Sequence, residues 1–86
     1  MSSWTIDKAV AKLEDKDADV RKAALWHLEK SPEAVAQHGA AIAQRLEDED
    51  EDVRKAAVWA LGASPEALAQ HGAAIVQRLE DEDAGV

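Results

Sequence analysis

The sequence predicts an all-α chain built as a short stack of helical repeats, and three observations carry that prediction. A shift of 33 residues lays Leu13 to Arg45 on Leu46 to Arg78 with 25 of 33 positions identical, the self-similarity that marks a repeat architecture. Apolar residues recur at helical spacing throughout, and no segment alternates as a half-buried strand would. The 47% apolar fraction includes 19 alanines and three Trp but no Phe or Tyr, so the core is thin and suits helices that touch through alanine.

The elements follow in chain order. Residues 1–12 read as the second half of an earlier unit, because Lys12-Leu13-Glu14-Asp15 matches Arg45-Leu46-Glu47-Asp48. Residues 13–45 and 46–78 are the two full units, residues 79–86 open a third, and residues 1–86 form one domain. The first helix of a unit opens after the acidic run, where Asp17 or Asp19 can accept from the free amides of its first turn. Val20, Ala23, Ala24 and Leu28 then form one stripe at i, i+3, i+4 and i+8, which Val53, Ala56, Ala57 and Leu61 repeat. Ser31-Pro32-Glu33 restarts a helix: serine caps, proline suits the first position, and glutamate favours the positive helix end. Ser64-Pro65-Glu66 does the same. Along this second helix Val35, Gly39, Ile42 and Leu46 share a face. Glycine inside a helix costs about 1 kcal/mol relative to alanine, so a break is expected at His38-Gly39, giving a short helix followed by a longer one. In a continuous helix, Gly39 and Gly72 would instead admit a neighbour at close approach.

The run DxDVRKAAxxxL, followed by a proline-initiated second helix and carried by both full units over residues 13–78, resembles a HEAT repeat of the armadillo-like and phycobilisome-lyase-like kind. The resemblance implies antiparallel helix pairs stacked into a right-handed α-solenoid. It also implies Asp19 and Asp52 at the first-helix starts, and Arg21 and Arg54 reaching the neighbouring unit's acidic turn. Activity is not implied, since one such stack serves transport receptors, scaffolds, kinase regulators and bilin lyases. Near-identity of the two units fits recent duplication, consensus design and a piece trimmed from a longer array alike.

Composition bounds the partners. Ten Lys and Arg against 18 Asp and Glu give a formal charge of -8 at pH 7, which opposes a phosphate-binding surface and speaks against nucleic acid. No apolar run approaches the roughly 20 residues of a membrane span, and Met1-Ser-Ser-Trp lacks the basic and apolar regions of a signal peptide. A soluble protein, cytoplasmic or recombinant, is expected. Cysteine is absent, so disulfides and thiol nucleophiles are excluded.

Each candidate for chemistry has a structural reading that fits better. Asp15, Asp17 and Asp19 have the spacing that opens a calcium loop, but Val20 or Val53 stands where glycine makes the sharp turn and Trp26 or Trp59 where a bidentate glutamate is needed. Carboxylates in a helix first turn are each worth about 0.3–1 kcal/mol, and capping is their expected role. His38 and His71 lie beside the glycines, and repeat-equivalent positions sit about 10 Å apart in stacked helices, too far for one zinc ion to bridge. Ser2 and Ser3 lie in the tail, Ser31 and Ser64 serve as caps, and the carboxylates fall in solvated turns rather than a desolvating pocket. The chain reads as no enzyme and calls for no metal or cofactor.

The tryptophans stand out. On a helical wheel Trp26 falls about 120° or more from the Val20 stripe, beside Lys22, and Trp59 repeats this beside Lys55. Each ring either packs on the next repeat's helix or joins an exposed aromatic row, which Trp4 could extend, of the kind that marks an interface. Leu68, Ile75 and Leu79 keep the internal apolar pattern where a polar cap would end the stack. The expected function is therefore a structural module that self-associates through its stack ends and tryptophans, most simply as a dimer or closed ring. The alternative is a scaffold whose concave surface and acid-rich turns receive a protein partner or basic peptide.

Overall fold

The computed structural model describes residues 4–84, with the side chains of residues 4–80. Ser2, Ser3, the side chains of residues 81–84 and residues 85 and 86 of the third-unit start lie outside what is described. Among the described residues six α-helices run in order: α1 (Ile6–Lys12), α2 (Ala18–Glu29), α3 (Pro32–Gln37), α4 (Gly39–Gln44), α5 (Glu51–Gly62) and α6 (Pro65–Ala84). A 3-10 turn, Arg45–Glu47, follows α4. Strands are absent among the described residues.

Caps set the helix starts. Asp17 accepts from the Asp19 amide at 2.9 Å to open α2, which decides between the two candidate carboxylates. Asp50, its equivalent, accepts from Asp52 and Val53 to open α5. Ser31 and Ser64 accept from the amides of Ala34 and Ala67, so each proline-started helix is capped as its triplet requires. α1 is capped by Thr5.

The helices stack in two layers. α2 lies against α5, while α3 and α4 lie against α6, and α1 packs on α2. Extents of 40 × 28 × 16 Å match a slab two helices thick. Between the layers sit Ala24, Leu25, Leu28, Val35, Ile42, Leu46, Val53, Ala56, Ala57, Ala60 and Leu61, all within 1% of full burial. Val20 and Ala23, read as part of the same stripe, are only half-buried, whereas their counterparts Val53 and Ala56 are covered.

The second helices differ from one another. In the first unit the helix breaks at His38, whose φ of -113° and ψ of 24° leave the helical region, giving two six-residue pieces instead of a short and a longer one. In the second unit the helix runs unbroken through Gly72 to Ala84. The two stretches share PEAxAQHGAAIxQRLE, so intrinsic propensity cannot separate them and packing must. A Cβ on Gly39 would meet His71 Nε2 at 3.2 Å, while one on Gly72 would meet nothing within 4 Å. The broken helix is the one with α6 pressed against it. None of the described helices is long and apolar enough to cross a membrane.

Candidate interaction surface

Successive units are joined by a polar clamp. Arg21, on the first turn of α2, donates through Nε and Nη2 to the two carboxylate oxygens of Asp48 at 2.9 and 3.0 Å. Its Nη1 donates to the carbonyls of Asp15 and Lys16, so one guanidinium ties its own acidic turn to the next. Asp48 also accepts from Arg45 and from the Asp50 amide. Its side chain is 3% exposed. Burial pushes the Asp48 carboxyl up, but the hydrogen bonds from Arg21 and the Asp50 amide, with the charges of Arg21 and Arg45, hold it below the usual carboxylate range. The hydrogen bond from Arg21 to Asp48 raises the guanidinium in turn. Within each unit a further link ties its end to its start, from Arg45 to the Leu13 carbonyl and from Arg78 to Glu47.

Comparison of positions 33 residues apart shows where packing ends. Leu46 is 1% exposed and Leu79 49%; Val35 is 0% exposed and Leu68 45%. Leu25 is buried where Val58 is half-buried, and Ala43 is half-buried where Val76 is exposed. The better-covered member of each pair lies inside the stack, and the more exposed members, Val58, Leu68, Val76 and Leu79, lie on its last helices, α5 and α6, at one end face. A cleft of about 70 Å³ on this face is lined by Arg54, Lys55, Val58, Trp59, Arg78 and Leu79.

The residues singled out from the sequence are distributed as follows. Trp59 is 58% exposed, on the end-face cleft with Lys55 and Leu79. Trp26 is exposed beside a second depression at the opposite end, lined by Trp4, Ala23, His27 and Lys30. Trp4 is half-buried, its ring edge-on to His27 with centroids 6.2 Å apart. Lys22 pairs with Asp19 at 3.1 Å and with Asp52 of the next unit at 3.7 Å, and the Asp19 hydrogen bond raises its amine. Lys55 reaches Glu51 of its own helix. Ile75 lies in the core at 6% exposure, apart from Leu68 and Leu79. Val58 and Val76 belong to the face but were not singled out. The only signal for them was that each differs in size from its counterpart, Leu25 and Ala43.

The acidic side chains serve turns and starts: Asp15, Asp17, Asp48 and Asp50 each accept from an amide two residues on. His38 contributes only backbone at its break, without a side-chain cap. A family model described as HEAT repeats matches residues 6–86. No curated protein and no solved structure matches the chain.

Proposed function

Since the chain belongs to the HEAT-repeat family, whose members generally mediate protein–protein interaction or scaffolding without catalysis, we propose that it is an assembly module that binds copies of itself. The reading takes the two units as one 33-residue repeat in a right-handed stack. One observation carries it: Leu68 and Leu79 are nearly half-exposed where Val35 and Leu46 are buried under a further unit. Stacked repeats bury their apolar faces only against neighbours, and a contiguous apolar patch on a small soluble domain marks an interaction site. Trp59, on the same face, supplies the large rigid side chain that interface centres favour. A dimer or closed ring is the expected product. Light scattering across a concentration series tests this, with masses at multiples of 9.3 kDa expected and a constant monomer mass overturning it.

A second reading rests on the charge of -8 and the exposed acids Glu47, Glu49, Glu51 and Asp52, which suit a basic peptide partner. Submicromolar anisotropy binding of Lys- and Arg-rich peptides by the monomer would favour it.

A further inference from the structure

The α2–α5 contact brings together two different helix sides, and the chain carries each side a second time, one beside α1 and Trp4 and the other on the end face. On α5, which lies against α2, Val53, Ala56 and Ala60 share one side and are all buried; their equivalents on α2, Val20, Ala23 and His27, are all half-buried, so we assign this side of α5 to the contact with α2. On α2 the side that meets α5 includes Arg21, Lys22 and Leu25; on α5 the equivalent side, with Lys55 and Val58, forms the end face. We propose, resting on the self-association reading, that the end face of one copy receives α2 of a second copy head to tail, in the register in which α2 receives α5.

Charge supports that register. Within the chain Lys22 crosses to Asp52, in the first turn of the following helix, at 3.7 Å. The equivalents are Lys55, half of whose side chain is exposed beside Glu51 of its own helix, and Asp19, whose side chain is 84% exposed beside Lys22. They meet in the docked pair, and an ion pair at the rim of an interface favours correct orientation more than affinity.

Size supports it independently. Three of the eight differences between the units fall in the second half of the first helix, Leu25/Val58, His27/Ala60 and Glu29/Gly62, and a fourth, Lys30/Ala63, at its C-cap. Within the chain, the small Ala60 packs fully buried against a helix that carries Leu25 and Glu29 at that level. In the docked pair the larger His27 comes instead, and it meets a helix carrying Val58 and Gly62. A Cβ on Gly62 has nothing within 4 Å, so the imidazole finds room where a glutamate would stand. The side that gained volume faces the side that lost it.

The register has a cost that can be observed. Sequence equivalence puts the incoming copy's α1 where α6 of the receiving copy already runs from Gly72, so α1 must leave α2. It is the helix best placed to do so, with seven residues and Ala9 as its single buried position. The ring contact of Trp4 with His27 is then exchanged for the contact with the receiving copy.

Sedimentation equilibrium of the full chain and two variants tests the proposal. Gly62→Glu puts a side chain at an exposed helical position, so it folds, and it should weaken association by about tenfold or more. Adding His27→Ala restores the Glu–Ala pairing used within the chain and should recover association to within about threefold of the parent. Hydrogen exchange should show residues 6–12 losing protection, and α5 gaining it, as concentration rises. If Gly62→Glu associates like the parent, or the double variant stays as weak as the single, the register is wrong while self-association stands. A parent chain that remains monomeric removes the self-association reading and the register with it.

Discussion

At the scale of single residues, Asp48 is the most consequential side chain in the molecule. It is buried, accepts from Nε and Nη2 of Arg21 and fixes the Asp50 amide. Removing one member of a buried pair leaves the other charge uncompensated, so Asp48→Ala should cost about 3–5 kcal/mol by urea unfolding. The pair also fixes a pH dependence. The folded value of Asp48 lies below its ordinary one, so the folded state favours the ionised carboxylate. Its contribution is complete above the unfolded carboxylate pKa of about 3.9 and is lost as pH falls through the lower folded value. The stability gap between the parent and Asp48→Asn should therefore be constant near neutrality and shrink below about pH 4. The sequence motif suggested that Arg21 reaches the next acidic turn, but not which acid it meets. Six consecutive acids, Glu47 to Asp52, are alike as residue types, and only the return of the chain after the 3-10 turn brings Asp48 under the guanidinium.

At the scale of elements, the second helices show what local sequence controls and what it leaves to neighbours. Their starts were legible, because Ser31 and Ser64 can cap wherever the proline sets the first turn. Ser64→Ala should cost about 1 kcal/mol in a thermal or urea melt. Their middles were not, because the same HGAA segment is broken where α6 presses on its glycine and straight where the space at its glycine is open. One substitution made at both glycines separates the two effects. Gly72→Ala should stabilise by about 0.5–1 kcal/mol, the ordinary helix preference for alanine. Gly39→Ala should gain clearly less, since its methyl group would press on the His71 ring, and pairing it with His71→Ala should recover the difference. The tryptophan positions were legible from the helical wheel, since an angular position does not depend on a neighbour. The exposure of Leu68 and the burial of Ile75 were not, since both lie on one apolar stripe and α5 covers only part of it.

At the scale of the whole molecule, two forces act on association with opposite signs. The end face favours contact through Leu68, Val76 and Leu79, while a formal charge of -8 on each copy opposes it. Salt screens the repulsion over roughly 10 Å at 0.1 M and leaves apolar burial intact. The apparent association constant should therefore rise between about 20 and 200 mM sodium chloride, read by light scattering at fixed protein concentration. A fall would place the ion pairs, not the apolar face, in charge of the contact.

The paired segments 32–44 and 65–77 have one further consequence, for spectroscopy. Identical residues with identical sequence neighbours, such as Ala40 and Ala73, share one random-coil chemical shift, so any difference between their carbon resonances reports folded conformation and surroundings rather than sequence. The molecule thus contains its own reference compound, and convergence of those two signals would register the moment at which the uncovered helix acquires a neighbour.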